Sequence, residues 1–226
     1  VRILAAGFTP NFGKQSSSYW LRHHIGYFWS LSRTHLYLAL VAVIIGLVLS
    51  IPIGVLAIRV PKTYGPILTI TTIVYSLPSL AVFAFLVSIT GLTNNTVILP
   101  LAGYALALLV RSVIDGLAAV PEEVRIAATA MGYRPMRRLL TVELPTAIPV
   151  IIAGLRIATV SSISLVTVGA IIGIGGLGEL FIEGENIGFQ TEIIAGVVIV
   201  AFWAFLFDGL LLLSGRLLAP WSRHAS

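Results

Sequence analysis

The chain has 226 residues, 58% of them hydrophobic and only 10% charged, with a mean hydropathy of +1.01 and no cysteine. Soluble domains carry about 25% charged residues, so this composition excludes a water-soluble globular fold and makes lipid the natural solvent, while the lack of cysteine excludes disulfides, zinc ribbons and a thiol nucleophile. The formal net charge of +5 does not point to nucleic acid, because no polar domain exists to carry a basic face and basic loops of a membrane protein account for it.

In chain order, residues 1–33 read as an N-terminal tail and an interfacial helix. Residues 1–18 are mixed and end in three serines. Residues 19–33 set Tyr19, Trp20, Tyr27, Phe28 and Trp29 beside Arg22, His23, His24 and Arg33, a mixture suited to headgroup depth. The first apolar run starts near Thr34, so no cleavable signal peptide is expected. Residues 34–217 then hold five uninterrupted apolar stretches, each near the roughly 20 residues that a crossing needs: 34–58, 66–89, 96–119, 144–172 and 193–217. Pro52, Pro78, Pro100 and Pro149 lie inside them, which neighbouring helices make tolerable. Residues 218–226 form a short tail. The predicted class is an all-α polytopic membrane protein with five spans.

Basic residues orient the spans. Arg59 and Lys62 lie in the first loop, Arg125, Arg134, Arg137 and Arg138 in the third, and Arg216 and Arg223 towards the C-terminus. They alternate with a neutral second loop and a fourth loop holding Glu179, Glu183, Glu185 and Glu192. This predicts an outside N-terminus and a cytoplasmic C-terminus.

The third loop carries the most specific pattern. Pro121, Glu122 and Glu123 suit a helix start, and Gly132 suits its stop. A short helix within 121–135 would present small residues at Ala127, Ala128 and Ala130, and Leu144-Pro145 follows.

This stretch resembles the cytoplasmic signature of ATP-binding-cassette importer permeases: a Glu-Ala-Ala start, a glycine four residues after the second alanine, and a later Leu-Pro. Ala127, Ala128, Gly132, Leu144 and Pro145 match, whereas Ile126 stands where the family has glutamate, with Glu123 or Arg125 as the substitute anchor. The resemblance implies a type I importer permease fold whose coupling helix docks on an ATPase subunit through Glu122, Glu123, Arg125, Ala127, Ala128, Met131, Gly132, Tyr133 and Arg134. Ser76-Leu77-Pro78-Ser79-Leu80-Ala81, Arg111 with Asp115-Gly116-Leu117, and 173–180 are similar to the osmoprotectant branch, which handles glycine betaine, carnitine, choline and related quaternary ammonium solutes. The methionine-importer permease is a more distant relative and gives the alternative cargo. The implied partners are two ATPase subunits, which bind the ATP and magnesium that this chain does not, a second permease copy or homologue, and a separate extracytoplasmic solute-binding protein. The implied place is a bacterial plasma membrane.

Other patterns carry less. Gly173-x-Gly175-x-x-Gly178 spells a dinucleotide fingerprint but follows an apolar span instead of a strand, so a tight re-entrant turn is expected. No phosphate-cradling loop exists; Gly13-Lys14 is followed by Gln15. Arg111 and Asp115 lie four apart and are expected to pair. Arg156 and Asp208 are costly inside spans and are candidates for the solute path or for helix pairing. A quaternary ammonium ion is held by aromatic faces, and the candidates are Tyr75, Phe83, Tyr104, Phe202, Trp203 and Phe205, with Ser76, Pro78 and Arg156 beside them along the path. His23, His24, His35 and His224 read as interfacial, with no metal-ligand spacing. No catalytic set is seen. A different class, an ATP-independent secondary transporter or channel, would call for inverted repeats, and five spans do not halve.

Overall fold

The computed structural model describes residues 21–220. The expectations for Tyr19, Trp20, Arg223 and His224 fall outside them. Among the described residues all regular structure is helical, and no strand occurs.

Helix α1 runs Ile25–Arg59 without interruption, 35 residues or about 52 Å at 1.5 Å per residue. The aromatic segment expected to lie separately in the interface is therefore continuous with the first span from Ile25 onward. Pro52 sits within α1 without ending it. The chain then turns at Val60 into α2, Pro61–Ser76, with a proline in its first turn.

The second span is not one helix. Helix α3, Ser79–Thr90, leaves α2 at 90°. Leu77 is extended, at φ −67° and ψ 135°, as a residue before proline tends to be. Pro78 brings no N–H to carry the ladder through. Four helices are long and apolar enough to cross a membrane, and the bent pair would be a fifth span.

Gly91, at φ +68°, ends α3. Thr93 then caps α4, Asn94–Ala118, in a reciprocal capping box with Thr96. Helix α4 is the centre of the molecule: it packs on α1, on α2 and α3, and on α7, Leu144–Val166. Lipid supplies no hydrophobic drive between helices, so close backbone approach matters more. Small residues permit it. A Cβ on Gly46 would lie 2.8 Å from the Ala105 Cβ, one on Gly54 would lie 2.6 Å from Val113 Cγ1, and one on Gly154 would strike the Ser112 side chain.

After α4 come the short helices α5, Glu122–Ala130, and α6, Pro135–Arg138. A π-helical turn over Leu139–Glu143 leads into α7. Its wider ring fits Pro145, which offers no N–H to an α-helical bond in the first turn of α7. Helix α7 tightens into a 3-10 segment, Thr167–Ile172, and a glycine turn follows. Helices α8, Glu179–Ile187, and α9, Gln190–Leu218, follow.

The glycine turn explains its own spelling. Gly173 is left-handed at φ +82°. A Cβ on Gly176 would lie 2.8 Å from the His35 backbone, and one on Gly175 would collide with Ala170. The glycines serve packing, as a re-entrant turn requires. His35 is accordingly not interfacial: it is fully buried, with Nε2 2.8 Å from the Ile163 carbonyl and Nδ1 3.4 Å from that of Gly175. Phe83 is also fully buried, within the main apolar cluster.

Candidate functional site

Helix α5 is short, and its ends are closed in different ways. Glu122 and Glu123 occupy its first turn after Pro121, where negative charge suits the exposed N–H groups. At the other end Gly132 takes φ +81°. Tyr133 N donates to Ala128 O at 3.1 Å and Gly132 N to Thr129 O at 2.9 Å, which is the Schellman pattern.

Three arginines tie this elbow to the spans. Arg125 Nη2 donates to Leu117 O at 2.6 Å, closing the end of α4, and its Nη1 pairs with Glu122 at 3.3 Å. Glu143, 4% exposed, accepts from Arg138 Nε at 2.7 Å and faces Arg59 Nη2 at 3.8 Å. Arg138 also reaches Thr129 Oγ1 at 2.8 Å, and Arg59 reaches Pro135 O at 3.2 Å. A buried charge needs such partners. One carboxylate therefore fastens the end of α1, the elbow and the root of α7. Sequence reasoning missed Glu143; the signal was an acid five residues after Arg138, next to the Leu144-Pro145 that starts the following span.

The predicted elbow residues divide by surroundings. Glu122, Glu123, Ala127, Met131, Gly132 and Arg134 are exposed, Tyr133 is half-buried under Arg137 at 4.8 Å, and Arg125 is turned inward. The small-residue face is not continuous, because Ala128 is 1% exposed and packs against its own chain while Ala127 and Ala130 face out. Large apolar side chains stand out instead: Ile126, Met131, Met136 and Leu140 are all more than half exposed. A shallow groove of about 310 Å³ lies along α5 between Glu122, Ile126 and Arg138.

The predicted path residues fall into two groups. Arg156 and Phe205 line one cavity of about 810 Å³ between α7 and α9, together with Asp208. Arg156 grips Asp208 with two parallel bonds, Nε to Oδ1 at 2.8 Å and Nη2 to Oδ2 at 2.7 Å. Ser161, Ser164, Thr167 and Phe181 complete much of its wall. Tyr75, Ser76, Pro78 and Tyr104 gather instead at the α2–α3 break. Tyr104 OH donates to Leu77 O at 3.0 Å, and the Tyr75 ring meets Tyr104 edge-on at 6.4 Å. Trp203 belongs to neither group, stacking among Trp29, Phe202 and Phe207. Among the described residues no ion pair joins Arg111 to Asp115; both are exposed.

The acidic end of the molecule has its own order. Tyr27 OH donates to both oxygens of Glu183, at 3.0 and 2.9 Å, and Glu192 is buried beside them. Burial pushes the Glu179 carboxyl above its usual value, helped by the Glu183 charge and opposed by the N–H groups of Gly175 and Gly176. No group of three or more metal-ligating side chains occurs among the described residues.

Comparison with known proteins agrees with this architecture. Residues 42–224 match the family model described as binding-protein-dependent transport system inner membrane component. The chain is 34% identical over 186 residues to the choline transport system permease protein OpuBB of Bacillus subtilis (strain 168), covering 82% of this chain and 86% of that one. It is 35% identical over 187 residues to the carnitine transport permease protein OpuCD of Listeria monocytogenes, covering 82% and 84%. It is 32% identical over 198 residues to the osmoprotectant import permease protein OsmW of Salmonella typhimurium, covering 85% and 92%. Among solved structures, the inward-facing MetNI methionine transporter superposes with a TM-score of 0.77 at 24% identity, covering 86% of this chain and 98% of that one. An amino acid transporter crystallised with histidines gives 0.71 at 18%, covering 90% and 99%.

Proposed function

The chain belongs to the family of binding-protein-dependent transport system inner membrane components, and we propose that it carries a small quaternary ammonium osmoprotectant, such as glycine betaine, carnitine or choline, into the cell. A separate binding protein delivers the solute. ATP is hydrolysed on two separate subunits, and this chain pairs with a second permease, identical or homologous. The named cargoes of the relatives support the solute class.

The observation that carries the coupling role is the elbow at 121–140. It is mostly exposed, bears outward-facing Ile126, Met131, Met136 and Leu140, and is nevertheless anchored to α1, α4 and α7. An apolar surface on a rigid stalk suits a partner that pushes, and large apolar side chains supply contact area that exposed ion pairs do not. Glu122, Glu123, Ala127, Met131, Gly132, Tyr133 and Arg134 meet the ATPase subunit; Arg125 and Ala128 hold the elbow to its own chain. The C-terminus and this elbow face the cytoplasm and the acidic end faces out, the orientation that the basic loops favour. Nucleotide and loaded binding protein bias the two access states by binding them unequally.

Co-purification tests the assembly, and uptake tests the cargo. Tagged chain brings down an ATPase subunit, and cells lacking other importers accumulate labelled betaine or choline only when that subunit is intact. Transport by the chain alone in liposomes, with no ATPase bound, refutes the importer reading. Competition by methionine but not by betaine or choline refutes the cargo.

A further inference from the structure

Two charges sit deep in a span and still face open space. Arg156 is twelve residues into α7, about 18 Å along its axis, and Asp208 is ten residues from the end of α9. A charged pair at that depth is expensive and is weak evidence for stability, since apolar replacements often hold helices together as well. Each side chain is nevertheless 31% exposed, and both border the 810 Å³ cavity. The cavity is therefore a mainly apolar chamber with one fixed positive and one fixed negative group in its wall, beside the aromatic rings of Phe181 and Phe205.

We propose that Arg156 and Asp208 form a solute-reading pair that opens to take a zwitterion between them. The proposal rests on the quaternary ammonium cargo put forward above and assigns the part of it that this chain reads. A carboxylate takes the Arg156 guanidinium, whose planar fork binds carboxylates with two bonds. The ammonium end takes Asp208 through charge alone, because it has no N–H to donate, and the rings add their faces. Each protein charge lost from one partner is regained from the solute, so the open state carries no unpaired ion. A simple cation such as choline offers no carboxylate. It would draw Asp208 away and leave Arg156 with no carboxylate, which disfavours it relative to the zwitterion. The empty chamber closes the pair on itself, so holding is weak enough for release.

The test uses the complete transporter, with its ATPase and binding protein, and reads the ratio of labelled glycine betaine uptake to labelled choline uptake. Membrane abundance is checked by immunoblot. Arg156→Gln lowers that ratio by about tenfold or more, and Arg156→Lys, which keeps the charge but not the planar fork, lowers it less than Gln does. The neutral double variant Arg156→Gln with Asp208→Asn leaves neither charge of this pair stranded within the spans and assembles even where a single variant does not; it too loses the preference for the zwitterion. If the double variant moves both solutes at the wild-type ratio, the pair is only a fastener between helices and the proposal is overturned, with the cargo reading intact. If wild-type transporter moves neither solute, the cargo reading fails and this proposal falls with it.

Discussion

Arg138 and Glu143 lie five residues apart across the π-helical turn, Nε to Oε1 at 2.7 Å, and Arg59 reaches the same carboxylate from the end of α1. The pair makes the elbow and the root of α7 one body. If α5 docks on an ATPase subunit as proposed, a push on it would reach α1 and α7 together.

Removing that carboxylate has a definite cost. Glu143→Ala leaves two guanidinium groups without their shared partner, and because both remain partly solvated the loss is about 1–3 kcal/mol, below the full penalty for breaking a buried pair. Glu143→Gln loses less, since its carbonyl oxygen still accepts from Arg138. Thermal unfolding of the purified chain in detergent should rank wild type above Gln above Ala.

Gly132 is left-handed at φ +81°, yet nothing lies within 4 Å of where a Cβ would be. Substitution there strains the backbone by about 1–2 kcal/mol without a clash. Gly132→Asp should insert into the membrane at normal abundance but lose uptake and ATPase stimulation, because it puts a charge on the docking face. Gly132→Ala carries the same strain without the charge and should keep much of its transport. Equal uptake by the two variants would refute the docking role.

Gly176 has both constraints. It sits at φ +51°, and a Cβ would lie 2.8 Å from His35 Cα. Gly176→Ala should lower stability by about 2–4 kcal/mol, from strain and overpacking together. A detergent unfolding midpoint within error of wild type would contradict the tight seating of the glycine turn on α1.

The Glu179 carboxyl titrates above its usual value of 4.5, chiefly through burial. A carboxyl raised in the folded state binds its proton more tightly there than in the unfolded chain. It favours folding at low pH, and this contribution is lost as pH rises from 4.5 through the folded value. Stability attributable to this group should therefore fall with increasing pH, and Glu179→Gln should flatten that slope in unfolding midpoints measured across the range.

Much of this architecture was legible because spans announce themselves by apolar length. The extents of α4, α7 with its 3-10 extension, and α9 agree with the predicted third, fourth and fifth spans to within a few residues. The break at Pro78 was harder to read. Pro52, Pro100 and Pro149 sit in spans that remain helical, so proline alone is ambiguous. What distinguishes Pro78 is a tyrosine 26 residues later whose hydroxyl takes the freed Leu77 carbonyl, a contact no local window reveals. The same limit separated Arg111–Asp115, correctly spaced yet unpaired, from Arg156–Asp208, 52 residues apart yet joined. His35 was legible after all: Leu31, Leu38 and Ala42 share its helical stripe and are buried with it. The adjacent Arg33 and Thr34 are polar and exposed and fall outside that stripe.

The right-angled corner between α2 and α3 bears on where water runs. Neither leg, at 16 and 12 residues, reaches across about 30 Å of hydrocarbon on its own, so a corner within one crossing lies at depth. Hydrocarbon does not tolerate peptide groups released from a ladder, and at this corner they are taken up within the chain: Leu77 N donates to Val74 O at 3.4 Å, Tyr104 OH to Leu77 O at 3.0 Å and Val82 N to Pro78 O at 3.1 Å. The bend can therefore sit inside a crossing without needing water at Leu77 or Pro78, and Tyr104 is the side chain on which that independence rests.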